Sequence, residues 1–155
     1  MAIDKIVWHW DSVTDSSSEE ERLEKAGVHI GYFMEWAYKK GFAPNNPETH
    51  DVDEYLKVVN SEKNGLQFLI ENCDSKFWDV DLNEQGLKFT TFAYTNYLDS
   101  YVTIVKHEPY TEKYNLQDRE NVFKYLDEVY ADYLKKPSKV EKQNLFRKYF
   151  GRKNK

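Results

Sequence analysis

Residues 81–107 read DLNEQGLKFTTFAYTNYLDSYVTIVKH and lie in the longest proline-free run of the chain. Asp81 followed three residues later by Glu84 has the form of a capping box, so the stretch predicts a helix beginning there. Lys106 and His107 suit the negative end of a helix dipole, and Pro109 forbids much continuation. Gly86, Phe89, Ala93, Tyr97, Tyr101 and Ile104 fall on one helical face, Leu87, Tyr94, Leu98, Val102 and Val105 on another. A helix apolar on two faces predicts a central one, roughly 36 Å long at 1.5 Å per residue. The β-branched run from Tyr101 to Val105 offers a strand as the competing form of its last turn.

Upstream, residues 1–11 (MAIDKIVWHWD) alternate through Ile3, Ile6, Trp8 and Trp10, which predicts a short strand or extended arm. After a polar, acidic loop over Ser12–Glu21, Glu20–Lys40 reads as a helix with Leu23, Ala26, Ile30, Phe33 and Ala37 inward and Gly41 as its stop. Pro44 and Pro47 mark a loop. Asp51 caps a short predicted helix to Asn60, with Glu54 at the capping-box position and Val52, Tyr55, Leu56 and Val59 on one face. A second short helix, Glu62–Cys73, buries Leu66, Leu69, Ile70 and Cys73. The turn Asp74-Ser75-Lys76 then delivers Phe77 and Trp78 to the foot of the long helix.

Downstream, Asp118 caps a helix carrying Val122, Tyr125, Leu126, Val129 and Tyr133 that Pro137 ends. Ser138 and Glu141 cap a basic amphipathic helix, Lys139–Phe150. These segments predict a mainly α fold: a single domain of five or six helices around a long central helix, with at most a minor β element at the N-terminus. The globular domain is expected to span residues 1–137 and the basic tail residues 138–155.

The chain has 155 residues, enough for one core. Twelve tyrosines, nine phenylalanines and four tryptophans supply rings that suit the edge of a core or a binding surface. The net charge of −5 conceals an asymmetry: residues 1–134 hold 13 Lys+Arg against 26 Asp+Glu, a balance of −13, and residues 135–155 hold nine against one, a balance of +8. An acidic body repels nucleic acid and steers basic proteins toward itself. No leader and no membrane span is legible, so a cytoplasmic protein is expected. Cys73 is the only cysteine and has neither a disulfide partner nor zinc-ligand spacing.

Only one cluster suggests chemistry. His9 and Asp11, in Trp8-His9-Trp10-Asp11, would meet His29 if the arm packs on the second predicted element, and two imidazoles with a carboxylate suit zinc or iron. A buried, hydrogen-bonded His29 explains the same residues structurally, and no HExxH, CxxC, GxSxG, GxGxxG or P-loop is present. No catalytic residue, metal or other cofactor is therefore expected. Interleaved basic residues and aromatics such as Lys142, Arg147, Phe146 and Tyr149 in the tail suit polyanions or docking onto the acidic body.

The strings WHW, then HIGYFMEW (29–36), then FLIENCDSKFWDVDLNEQGLKF (68–89) resemble a bacterial family of small acidic domains of unknown function. In that family a WH pair, an HIGxFxxW helix and a CDGKFxxxDLNxxG turn and helix recur in this order, before an aromatic helix. The likeness covers about residues 5–134, with Ser75 in place of the usual glycine. It marks Trp8, His9, His29, Gly31, Trp36, Asp74, Lys76, Phe77, Leu82 and Gly86 as a packing framework. Its members resemble immunity proteins encoded beside polymorphic toxins. The resemblance implies an antitoxin with a cognate protein toxin as partner. With the acidic surface, it directs attention to Asp51, Asp53, Glu54, Tyr55, Trp78, Asp79, Asp81 and Glu84 as contact residues. The competing expectations are a small metal-dependent or acid/base enzyme using His9, Asp11 and His29, and an adaptor docking through the basic tail.

Overall fold

The computed structural model describes residues 1–48, 51–136, 143–144 and 146–148. The expected 137/138 boundary, the Ser138–Glu141 cap and much of the basic tail lie outside these residues. Five α-helices, α1 (Glu19–Lys39), α2 (Val52–Val59), α3 (Gly65–Asn72), α4 (Glu84–Val105) and α5 (Leu116–Lys135), form a mainly α domain. Its β element is two short antiparallel strands, β1 (Ala2–Lys5) and β2 (Lys76–Trp78), with an irregularity between Ala2 and Asp4. A 3-10 turn, Ile6–Ser12, follows β1, and another, Asp79–Asp81, follows β2.

The long helix expected after residue 81 forms, and it runs to Val105 rather than ending in a strand. The element enclosed on every side is nevertheless α1, in which every residue from Lys25 to Tyr38 is buried. On one flank Gly31 meets Gly65 at the start of α3, and the missing side chains let the two backbones touch. Toward α4 the spacing is set by rings: Phe33 packs edge-on to Tyr94, and Trp36 lies on Phe89. α4 itself keeps one deep face, with Val102 exposed.

Three local readings need correction. Asn83, not Asp81, caps α4, because Leu82 is extended and the helical backbone begins only at Glu84. Asp81 instead accepts the Trp78 N–H at 2.7 Å and closes the preceding turn. Likewise α5 is capped by Asn115, whose Oδ1 accepts the Asp118 N–H at 2.9 Å while its Nδ2 donates to Asp118 Oδ2. On α2 the buried pair is Tyr55 and Val58, whereas Leu56 and Val59 are exposed, since only one side of this two-turn helix meets α1 and α3.

Asn83 also donates from Nδ2 to the Gly41 carbonyl at 2.8 Å, and its N–H donates to the Phe42 carbonyl, so one side chain caps α4 and ties it to the end of α1. Asn83→Ala is expected to lower stability by about 2 kcal/mol, the upper part of the range for a lost cap. A urea midpoint unchanged in Asn83→Ala would show that water replaces both contacts.

Candidate functional site

Asp4 is the buried residue of β1, and Ile6, the first residue of the 3-10 turn, is buried after it. The 3-10 turn then folds the chain back so that His9 returns over Asp4, and α1 brings His29 from below. Asp4 Oδ1 lies 2.7 Å from His9 Nε2 and accepts the Lys5 N–H at 2.7 Å. Its Oδ2 accepts the Tyr94 hydroxyl at 2.8 Å and lies 3.5 Å from His29 Nε2. His9 Nδ1 is 2.9 Å from the Tyr110 hydroxyl. One ligating atom from each of Asp4, His9 and His29 falls within 4.8 Å of the others.

His9 and His29 thus meet, as the competing enzyme expectation required, but with a different carboxylate. Asp11 is fully exposed, with Arg22 3.9 Å away, because the 3-10 turn carries it out to solvent. Asp4 was missed as one more polar residue in an alternating arm. The available signal was parity in the alternating arm expected from sequence, where residue 4 falls on the same face as Ile6.

Electrostatics inside the cluster separate its members. Burial raises the Asp4 pKa, but His29 and His9 outweigh it and hold the carboxyl below its ordinary range. Burial pushes the His29 pKa down; the Asp4 carboxylate opposes this and His9 reinforces it, while Tyr101 and Tyr110 pack at its ring. An unfolded chain takes up a proton near pH 6.5 where the folded one keeps His29 neutral. The unfolded state then binds more protons, so stability is lost as pH falls below 6.5, by up to about 1.4 kcal/mol per unit. His107 acts oppositely: burial lowers its pKa, but bonds to the Glu108 carbonyl and the Asp118 carboxylate raise it overall. Its contribution is present at low pH and fades as pH rises through its folded value. Urea titrations of the chelated protein at pH 7.0 and 5.5 are expected to show lower stability at 5.5, with a shallower slope in His29→Asn. Equal slopes would refute the assignment.

Beside the cluster is a pocket of about 110 Å³ lined by His9, His29, Leu98, Tyr101, Val102, Pro109 and Tyr110. Tyr110 holds its place with a backbone φ of 63°, a left-handed conformation uncommon outside glycine.

The contact residues expected from sequence divide. Asp51, Glu54, Tyr55 and Asp81 line one depression of about 240 Å³ with Phe68, Asn72 and Cys73. Tyr55 is a correction: it is buried against Tyr38 and Phe68 and forms a wall instead of a protruding anchor. Its hydroxyl pKa is raised by burial, with Asp81, Cys73 and Asp51 adding to the shift. Asp53 and Glu84 are exposed, Asp79 pairs with the amino terminus at 2.6 Å, and Trp78 is half-buried beneath Lys5.

Within the expected framework, His29, Gly31, Trp36, Phe77, Leu82 and Gly86 are buried, and His9 is nearly so through its bonds to Asp4 and Tyr110. Trp8 is a correction, being 57% exposed with Lys5 over its ring, because the 3-10 turn points it outward. Asp74 is also exposed, paired with Lys76 at the turn surface. Ser75 has a φ of 58°, the conformation for which glycine is suited.

A helical domain built on an enclosed α1, with a buried histidine–carboxylate cluster at its N-terminal strand, defines the class. The chain belongs to the family described as domain of unknown function DUF7832, matched over residues 2–116. The match contains the whole cluster and stops where α5 begins, short of the residue 134 expected. No curated protein and no solved structure matches the chain. Among the described residues no helix is long and apolar enough to cross a membrane.

Proposed function

We propose that the protein is an immunity-type antitoxin that binds a basic face of a cognate bacterial toxin and blocks it. The observation that carries this reading is the convergence of Asp51, Glu54 and Asp81, from α2 and the turn before α4, around one depression. Glu54 here already pairs with Lys57 and Lys63, so a lysine or arginine side chain of a partner would displace these cations beside the aromatic wall, and the −13 body would steer that partner inward. Nearby, exposed Trp8 and half-buried Trp78 flank Lys5 and supply ring surface of the kind that anchors interfaces.

The test is co-expression with the product of the gene next to its own, which this reading expects to be the toxin. Survival with recovery of a complex is expected. Asp51→Asn, Glu54→Gln and Asp81→Asn together remove the charge while keeping the cap on α2 and the acceptor for Trp78 N–H. That triple variant is expected to associate at least about tenfold more slowly, with a weaker salt dependence. Equal cell death with and without the protein, and no complex, would refute the antitoxin reading; an unchanged rate in the triple variant would refute only this surface. A second reading, a metal-dependent or acid/base enzyme, is favoured by the Asp4–His9–His29 geometry beside its pocket.

A further inference from the structure

We infer that Asp4, His9 and His29 form a three-ligand site for a divalent transition-metal ion of the zinc class, with its open coordination position at the adjoining pocket. This inference stands on the cluster alone and is independent of the antitoxin reading. Two imidazoles and one carboxylate are a donor set that zinc and iron accept. Ligands about 2.0–2.2 Å from a tetrahedral ion lie roughly 3.3–3.5 Å from one another. His29 Nε2 and Asp4 Oδ2 already stand 3.5 Å apart. The 2.7 Å contact between His9 and Asp4 must open by roughly 0.6–0.8 Å, and the His9 ring proton must move from Nε2 to Nδ1.

Among the described residues four buried side-chain atoms have no hydrogen-bond partner, and two of the four lie here: His29 Nε2 within the cluster, and the Tyr101 hydroxyl, whose side chain lines the same pocket. Leaving such groups unpaired is costly, and an ion with a bound water would engage both. The surrounding shell is already that of a metal site. Tyr94 and the Lys5 N–H fix the Asp4 carboxylate. The Tyr110 hydroxyl, which can donate to His9 Nδ1 in the free protein, can accept from Nδ1–H when Nε2 holds the ion.

Three protein ligands beside a pocket of about 110 Å³ leave room for a few water molecules. That is the pattern of a site with an exchangeable position, unlike the four closed ligands of a structural zinc.

Full-length protein, stripped with chelator, is titrated with ZnCl2 by calorimetry at pH 7.5 in two buffers of different ionisation enthalpy. One equivalent is expected with little net proton release, since His9 exchanges one ring-proton position for the other, and Co2+ should give the visible absorption of a four- or five-coordinate ion. His9→Ala, at a partly exposed position, is expected to weaken Zn2+ binding at least about 100-fold with far-UV dichroism unchanged; His107→Ala, which alters the other histidine–carboxylate pair, should bind as the native chain does. If His9→Ala does not fold, Asp4→Asn carries the same expectation. The inference is overturned if the native chain takes up no stoichiometric Zn2+, if the folded ligand variant binds as tightly, or if binding is lost in His107→Ala. The cluster is then a hydrogen-bonded core.

Discussion

Gly65→Ala is expected to lower stability by about 3 kcal/mol, the upper range for overpacking, although alanine is the better helix former by about 1 kcal/mol. A Cβ at residue 65 would lie 2.0 Å from the Gly31 carbonyl oxygen and 2.7–2.8 Å from Glu35 Cβ and N. One at residue 31 would lie 2.7 Å from Leu66 N, Cα and Cβ. These are mostly backbone atoms, so no rotamer relieves the overlap and α1 and α3 must separate. Gly31→Ala should behave alike, and the double variant should cost less than the two singles together, since parted helices accommodate both methyl groups. Gly41 supplies the contrast: it has open space but a φ of 83°, so Gly41→Ala should cost about 1–2 kcal/mol through backbone strain alone. Urea midpoints decide. A loss below about 1 kcal/mol in Gly65→Ala would mean that the crossing of α1 and α3 is looser than described.

Removing Arg119 should have an effect of similar size for an electrostatic reason. Glu35 is 3% exposed on α1, and Arg119 Nε approaches its Oε1 at 2.7 Å. The Tyr114 hydroxyl at 2.8 Å and the Gly65 N–H at 3.1 Å donate to its Oε2. Arg119→Ala leaves a buried carboxylate with neutral donors only, and about 3 kcal/mol of destabilisation is expected. Removing both charges at once differs in kind. Glu35→Gln combined with Arg119→Met keeps an acceptor for Tyr114 and an apolar stem over Phe123, where the guanidinium now lies 4.3 Å from the ring centroid. The pair should recover most of the loss, because desolvation and attraction then vanish together. A coupling below about 0.5 kcal/mol in the double-mutant cycle would show that water reaches Glu35.

Arg119 also illustrates how far local pattern reaches. It lies past the residues matched to the family, on a helix whose inward positions Val122 and Leu126 were legible from spacing. Nothing in that spacing announces that the guanidinium crosses to a glutamate 84 positions earlier. The caps show the same limit at shorter range. Asp81 and Asn83 both qualify as helix starters, and the extended backbone at Leu82 selects between them.

The sequence by itself determined the mainly α class, the approximate spans of the five helices and the short N-terminal β element. Capping side chains, proline stops and 3.6-residue apolar spacing act within a few positions, so they remain readable without the fold. Only the tertiary structure decided that α1 rather than α4 is enclosed, that Gly31 and Gly65 meet, that Trp8 faces outward and that Asp4 takes the place assigned to Asp11. Each of these depends on which distant surfaces come together. A 3-10 turn of seven residues is enough to reverse which acidic side chain is buried. Likewise Asp51, Glu54 and Asp81 become one depression because α2 and α3 pack together beside the turn that precedes α4, a placement set by the whole core and by no local signal.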